Sequence, residues 1–338
     1  MNIARIACSM RGKVAVFVVG ACFLASFSAG EAQQTKPVPR VGLILSSGTP
    51  ETPSPLLDAF RQGLRDLGYI DEKNILIERR YAEGRLDRMG PFVQEFVQQK
   101  IDVILATNNV VIRAAKGSTK TTPVVMITSV DPVAAGYIEN FAHPGGNITG
   151  LAWLARDLSA KRVELLRELL PKISRVGILW DADAPGPKVA FKEYAAAARA
   201  FNIDLKSLEI RGANPDFVGA FQAARNARIE GLIVVGSPIM SQYMKMICDL
   251  AIKQGLPSMT EEDRYVEAGA LISYGANLAD LYKRAAEYVV DILKGGRPAD
   301  LPVKLASKFD IFVNLKTSKQ LGLIMSQQIL VQADKVIK

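Results

Sequence analysis

The stretch "SRVGILWD" (174–181) repeats the pattern of "PRVGLILS" (39–46). Each places a glycine inside a run of valine, leucine and isoleucine, which is typical of a strand buried on both faces of a parallel sheet. A chain that restarts the same strand pattern midway predicts two similar α/β units in series.

Apolar strand patterns alternate with amphipathic helical patterns after each of these starts. The predicted strands are 40–45, 74–83, 101–107, 123–129, 174–181, 203–210, 230–237, 256–260 and 269–275. The predicted helices are 53–68, 86–99, 109–116, 188–200, 215–228, 239–254 and 278–294, and a last strand and short helix follow 308. This order predicts an α/β fold of two Rossmann-like lobes with parallel sheets, joined by a hinge.

The segment "SVDPVAAGYIENFAHPGGNITGL" (129–151) lies between the two units. Its proline and two glycines at 144–146 interrupt the pattern before a short strand, so we expect the first crossing between the lobes at 149–153, with Gly150 as a hinge position. Return crossings are expected near Gly275 and Leu305. The predicted lobes are therefore 36–152 plus 277–305 and 153–276 plus 306–338.

The N-terminal residues 1–32 have the layout of a secretory signal. Arg5, Arg11 and Lys13 precede an uncharged run, and Gly30 and Ala32 occupy the positions that precede a cut. This predicts export to the periplasm. In the alternative, Cys22 becomes the lipidated first residue of a lipoprotein, although the apolar run continues beyond it.

Cleavage after residue 32 leaves Cys248 as the single cysteine and a net charge of +6, from 39 basic and 33 acidic residues. The fold must then be held by its apolar core rather than by disulfides. Basic residues are spread along the chain without interleaved aromatics, so nucleic acid is not an expected partner. Roughly 300 remaining residues exceed what one core usually supports, which also favours two domains.

The sequence lacks the residues that several kinds of catalysis and cofactor binding require. His143 is the sole histidine, which disfavours histidine metal centres and histidine-activated nucleophiles, and the glycine patterns of dinucleotide and phosphate loops are absent from the sequence. We expect no cofactor and no metal. The acids Glu261, Glu262 and Asp263 could support carboxylate chemistry, but three acids at a strand end are more often a solvated turn.

Polar residues gather where the predicted strands end, which is where open α/β sheets bind ligands. The first lobe offers small hydroxyl and amide side chains, and the second offers acids and aromatics. The candidate ligand-binding residues are Ser46, Ser47, Thr49, Thr107, Asn108, Asn109, Ser129, Asp131, Trp180, Asp181, Ser237, Glu261 and Tyr274. Hydroxyls and helix-start N–H groups suit a carboxylate, whereas an acid with an aromatic wall suits an ammonium group, so a zwitterion fits. The same residue types are also common helix caps, and both roles can coexist.

The chain resembles the substrate-binding proteins of bacterial ABC transporters of the tryptophan/tyrosine type. The resemblance lies in "FRQGLRDLGY" (60–69), "AEGRLDR" (82–88), "DPVAAG" (131–136), "HPGGNITG" (143–150), "KRVELLRELLP" (161–171), "EAGALISYG" (267–275), "LKGGRPADLPV" (293–303) and "NLKTSKQLGL" (314–323). It implies a type I periplasmic binding fold and a non-enzymatic, monomeric receptor. Such a receptor closes on an amino acid-like solute and delivers it to an ABC permease in the inner membrane.

The chain departs from this family at a few positions. Asn108 and Asn109 stand where relatives carry a small Gly/Thr-type loop, and Ala276 and Ser307 stand where relatives show proline. The first departure lies in the predicted pocket and puts an aromatic amino acid ligand in doubt. Two other functions stay open: an exported hydrolase or lyase that uses the acids near Glu261, and the effector domain of a repressor with the same fold.

Overall fold

The computed structural model describes residues 37–46, 48–154 and 158–338. The strands are β1 (Arg40–Leu45), β2 (Leu76–Tyr81), β3 (Val103–Ala106), β4 (Val124–Thr128), β5 (Ile148–Ala152), β6 (Arg175–Asp181), β7 (Asp204–Ile210), β8 (Gly231–Val234), β9 (Ser258–Thr260), β10 (Ile272–Ala276), β11 (Lys304–Leu305), β12 (Phe309–Asn314) and β13 (Lys335–Ile337). The α-helices are α1 (Pro55–Asp66), α2 (Met89–Gln98), α3 (Asn109–Ser118), α4 (Ser159–Leu169), α5 (Pro185–Ala200), α6 (Phe217–Asn226), α7 (Pro238–Gln242), α8 (Met244–Lys253), α9 (Asp263–Ala268), α10 (Leu278–Leu293), α11 (Leu315–Gln320) and α12 (Gln327–Gln332). Single 3₁₀ turns lie at Leu86–Arg88 and Pro298–Asp300.

The first sheet has the strand order β11-β5-β4-β3-β1-β2, and its paired strands are parallel. Side chains of α1 and α10 bury one face, and side chains of α2 and α3 bury the other. The two helices of the first layer approach closely, because a Cβ on Gly63 of α1 would lie 2.3 Å from the carbonyl oxygen of Lys283 in α10. The continuous apolar strands follow from burial on both faces.

The second sheet has the order β13-β12-β10-β9-β8-β6-β7. Side chains of α4, α5 and α12 cover one face, and α6, α8 and α9 cover the other. Two parallel-sheet α/β units are confirmed, with one exception: β12 runs antiparallel to β10. The exception has a simple cause, since β10 leads the chain out toward α10 on the first sheet and β12 leads it back.

The chain passes between the two sheets three times. It does so between β5 and α4, between β10 and α10, and between β11 and β12. The second and third passages are tied together, because the N–H of Asn277 donates to the carbonyl oxygen of Lys308 (3.0 Å) and the Lys308 ammonium donates to Asp280 (2.7 Å). Residues 155–157 of the first passage lie outside the described residues.

Gly150 is not a hinge residue, and this expectation was wrong. It lies in β5, which pairs with β4 on one side and β11 on the other. Its φ is +134°, and a Cβ there would lie 2.2 Å from the carbonyl oxygen of Met126. The glycine therefore permits close strand pairing, and the chain leaves the first sheet only after Ala152.

Some local elements differ from the sequence predictions. The helix predicted for 239–254 divides into α7 and α8 at Tyr243, and α9 begins at Asp263 within the predicted solvated turn. The expected signal at 1–32, including Cys22, lies outside the described residues. Across the described part, no helix has the length and hydropathy needed to cross a membrane. Cys248 is buried and forms no disulfide with any residue that the structure describes.

Candidate functional site

The carboxyl ends of the two sheets face each other. A Cβ on Gly84, just beyond β2, would lie 3.8 Å from the side-chain amide of Gln242 at the end of α7. A Cβ on Gly186 in α5 would lie 3.3 Å from Cγ1 of Val130, just beyond β4. Both contacts join elements of different sheets. They close a cleft at the strand ends, where open α/β folds bind ligands.

The two asparagines after β3 are held in place on the first side of this cleft. Oδ1 of Asn108 accepts from the backbone N–H groups of Val110 and Val111, both at 3.0 Å, and its amide donates to Oγ of Ser46 (3.1 Å). Oδ1 of Asn109 accepts from the hydroxyl of Thr128 (2.7 Å). Asn108 therefore caps α3 and also braces the end of β1, as the helix-cap alternative anticipated.

Asp131 is half-buried just beyond β4, and its Oδ1 accepts from the N–H groups of Val133 (3.0 Å) and Ala134 (3.1 Å). It caps the turn that follows Pro132. Ser129 is half-buried on the same strand end, whereas Thr49 is exposed and donates to Glu51. Ser47 lies outside the described residues.

Thr107 at the end of β3 reaches α10. Its side chain lies near the phenol of Tyr282, a side chain with 7% exposure. Burial raises the pKa of this phenol, while the Thr107 contact and the charge of Arg264 lower it and the charge of Glu262 raises it. Arg264 and Glu262 come from α9 and its N-cap on the second sheet. The phenol thus lies within electrostatic reach of charges on the opposite side of the cleft.

The structure does not bring Trp180 to the cleft. Its side chain is 5% exposed, its ring stacks on Phe191 with centroids 5.0 Å apart, and its indole N–H donates to Ser207 (2.8 Å). Both the ring and the polar edge are used within the second lobe's core, because the side chain projects from the face of β6 that α5 covers.

The remaining second-side candidates stay near the strand ends. Ser237 caps α7 through Met240 N–H, and Asp181 accepts from Asp183 N–H (3.1 Å). Tyr274 is half-buried, with its ring 6.2 Å from that of Phe309 across the β10–β12 pair.

Glu261 lies at the centre of a buried network at the strand ends of the second sheet. Its Oε1 accepts from the guanidinium of Arg162 (2.9 Å) and from the hydroxyl of Tyr194 (3.0 Å), and its Oε2 accepts from Gly236 N–H (3.0 Å). Arg162 is 0% exposed, and its Nε donates to the carbonyl oxygen of Tyr274 (2.7 Å). Burial raises the pKa of Tyr194, so this hydroxyl stays protonated as a donor. The network therefore joins α4, α5 and the ends of β8, β9 and β10.

Glu262 has a different environment from its neighbour. Its Oε2 accepts from Nε of Arg264 (2.5 Å), and the Arg264 side chain also donates to the hydroxyl of Ser241 in α7 (2.8 Å). The Arg264 side chain is 44% exposed and that of Glu262 is 19% exposed, against 9% for Glu261. Two adjacent acids at one strand end thus have an inner and an outer role.

A family model described as "ABC transporter substrate binding protein" matches residues 54–337 of the chain. The chain belongs to this family. A tyrosine-binding protein of Clostridioides difficile strain R20291 is 28% identical to this substrate-binding protein over 280 residues, which make up 80% of this chain and 78% of the relative.

Solved structures share the fold of this substrate-binding protein. A conserved domain protein from Vibrio cholerae superposes with a TM-score of 0.79 at 25% identity, covering 88% of this chain and 99% of that one. A domain from Streptococcus pneumonia in complex with L-Trp gives a TM-score of 0.78 at 22% identity, with the same coverages. A ligand-free, open substrate-binding protein with adhesive properties from Clostridium difficile gives 0.67 at 25% identity, covering 89% and 100%.

Arg162, Tyr194 and Arg264 contact the predicted acids of the candidate site, and the sequence predictions missed them. A signal for Arg162 existed, because it shares the buried stripe of α4 with Leu165, Leu166 and Leu169. A charged residue on such a stripe requires a buried partner. Arg264 follows the acids in sequence, and its position gives no comparable sign.

Proposed function

We propose that the protein is the receptor of an ABC importer and that it closes its two lobes around a zwitterionic, amino acid-like solute. Membership of the substrate-binding family gives the general role. The observation that carries the proposal is the closed cleft at the carboxyl ends of both sheets, with fixed amides on one side and an ion pair on the other. The tyrosine-binding relative and the L-Trp complex support an amino acid as the ligand class.

Closure follows from contacts that the ligand makes with both sides. A ligand favours the closed form only by the difference in its contacts between the open and closed forms. The proposed lobes are 36–152 plus 277–305 and 153–276 plus 306–338, so the passages at 276–278 and 305–309 form the hinge together with the passage after Ala152. The Asn277–Lys308 hydrogen bond between two of these passages supports a coordinated motion rather than three independent ones.

The size of the solute is limited by the first side of the cleft. Asn108 and Asn109 are bulkier than a glycine or threonine loop, and their hydrogen bonds to Ser46 and Thr128 fix their positions. Among amino acids we therefore expect those with smaller side chains to fit better, while tyrosine and tryptophan are tested first because similar proteins bind them.

The test is calorimetric titration of residues 33–338 with the twenty amino acids and with small carboxylates. We expect one group of related amino acids to bind with a 1:1 stoichiometry. Failure of all of them, together with turnover of any substrate, would instead support an enzyme.

The alternative, a carboxylate-dependent hydrolase or lyase, needs an acid at 261 that is available to substrate. Both carboxylate oxygens of Glu261 are already held by protein groups. This disfavours the enzyme hypothesis for that residue. Hydrolytic activity that Glu261→Gln abolishes while ligand binding remains would restore it.

We also propose that the protein is exported by cleavage after Ala32, works in the periplasm as a monomer and partners an inner-membrane permease. N-terminal sequencing of the mature protein from cells checks the cleavage site, and mass spectrometry of a Cys22→Ser variant separates the two kinds of processing. A mature chain that starts with an acylated Cys22 would replace cleavage after Ala32 with lipoprotein anchoring. A protein found in the cytoplasm would revive the repressor reading.

A further inference from the structure

The two acids at the end of β9 are adjacent in sequence but are used differently. Both acids follow Thr260, the last residue of β9, and their hydrogen-bond partners differ. Glu261 is turned inward and its oxygens are bound by Arg162, Tyr194 and Gly236. Its side chain is 9% exposed, against 19% for Glu262, so Glu262 is the more accessible of the two acids.

Glu262 and Arg264 each retain an atom for a ligand. Oε2 of Glu262 is paired with Nε of Arg264, but Oε1 has no hydrogen-bond partner among the described residues. Arg264 uses Nε for Glu262 and Nη2 for Ser241, and its Nη1 likewise donates to none of the described residues. One acceptor on the acid and one donor on the guanidinium of the same ion pair thus remain available.

The location of this pair is the cleft itself. Glu262 and Arg264 act electrostatically on the phenol of Tyr282 from the first sheet's side, and Ser241 is followed by Gln242, whose amide lies against Gly84. Gly236 allows both carboxylates to approach the end of β8, since a Cβ there would lie only 3.2 Å from Oε2 of Glu261 and from Oε1 of Glu262. The pair is therefore held by the second sheet and exposed toward the first.

We propose that the Glu262–Arg264 pair is the charged subsite that binds the head group of an α-amino acid, with Oε1 of Glu262 accepting from the ammonium group and Nη1 of Arg264 donating to the carboxylate. Glu261 is a positioning residue and not a ligand contact. The inference rests on the proposed function and adds which residues recognise the solute.

A paired subsite of this kind selects for zwitterions. A ligand that lacks its ammonium group leaves Glu262 without its new partner, and a ligand that lacks its carboxylate does the same to Arg264. Unpaired charged groups that have lost water are costly, so each half of the pair rejects one kind of analogue. Arginine suits the carboxylate because its planar guanidinium presents several donors in a fixed geometry.

The experiment compares L-tyrosine, tyramine and 3-(4-hydroxyphenyl)propionate by calorimetry on the wild type and on Glu262→Gln and Arg264→Gln. We expect Glu262→Gln to weaken the binding of L-tyrosine and of tyramine by about tenfold to a hundredfold, and to leave the affinity for the propionate unchanged or higher. Arg264→Gln should weaken the binding of L-tyrosine and of the propionate and should leave the affinity for tyramine unchanged or higher. If another amino acid binds best, its own amine and deaminated acid replace these probes.

Glu261→Gln is the matched control. Because its carboxylate holds Arg162 and not the ligand, it should change all three affinities by a similar factor and lower the melting temperature. Equal effects of Glu262→Gln on tyramine and on the propionate would overturn the subsite while leaving an amino acid receptor intact. A wild-type protein that binds no amino acid would overturn the proposed function and the subsite together.

Discussion

Arg162 is the residue whose loss should cost the fold most among the polar groups of the cleft. It is 0% exposed and donates to Glu261, Tyr194 and the Tyr274 carbonyl. Removing one member of a buried ion pair leaves the other charge without compensation, so Arg162→Met should lower the free energy of unfolding by about 3–5 kcal/mol. Urea denaturation followed by circular dichroism measures this.

The double variant Arg162→Met with Glu261→Gln is its control. With no charge left on either side, it should be more stable than Arg162→Met alone. If the double variant is as unstable as the sum of both single losses, the two side chains do not act as a pair.

Cys248 should make stability depend on alkaline pH. Burial raises the pKa of its thiol from 9.0 to about 12. The unfolded chain then loses this proton at lower pH than the folded protein, so stability is retained below pH 9 and falls progressively up to about pH 12. Between pH 9 and 10.5, the free energy of unfolding of Cys248→Ala should fall by about 2 kcal/mol less than that of the wild type, because unfolding of the wild type releases one proton from this thiol over that interval. Parallel curves from urea melts at several pH values would rule this out.

At the scale of elements, β5 depends on a glycine. Gly150→Ala places a methyl group 2.2 Å from the Met126 carbonyl, in a backbone conformation that side chains rarely adopt. We expect a loss of roughly 2–4 kcal/mol in unfolding free energy, because β4 and β5 must separate locally. Gly146→Ala is the control, since a Cβ there meets nothing within 4 Å and its melting temperature should stay near that of the wild type. Equal melting temperatures for the two variants would contradict this account of β5.

The strands and helices could be predicted because the spacing of apolar residues along the sequence indicates which faces are buried. β1 and β6 are apolar on both faces, and α10 carries its buried residues at helical spacing. The partner of each side chain within a polar cluster could not be predicted in the same way. The sequence shows that Glu261 and Glu262 are adjacent, but which of them pairs with the buried Arg162 depends on where α4 packs.

Contacts between the two sheets could not be predicted from the sequence either. The approach of Val130 to Gly186 depends on how two separately folded units are placed by three passages, and no local pattern encodes that placement. Of the predicted cleft residues, Asn108 could be identified as a helix cap from its position before α3, whereas the core location of Trp180 depends on the partners Phe191 and Ser207.

For the molecule as a whole, the Val130–Gly186 contact offers a way to trap closure. A Cβ on Gly186 would lie 3.3 Å from Cγ1 of Val130, a separation that suits a disulfide between cysteines at these positions. The oxidised variant Val130→Cys with Gly186→Cys should exchange bound L-tyrosine or L-tryptophan at least tenfold more slowly than the wild type, because the lobes cannot part. Stopped-flow fluorescence measures the exchange.

Dithiothreitol supplies the control in the same sample, since reduction should restore the exchange rate. Cys248 is buried and should not compete for the disulfide. Exchange that is equally fast in oxidised and reduced protein would show that solute enters without separation of the lobes.

The path of the chain through both sheets has a consequence for synthesis. One face of the first sheet is covered only by α1 until α10 has been made, and the second sheet lacks β12 and β13 until nearly the last residue. Neither hydrophobic core can therefore be completed until late in synthesis. Native contacts between residues so far apart in sequence also slow folding. The same topology that brings three passages to the proposed hinge would thus delay completion of the fold, which would suit the proposed export of the chain.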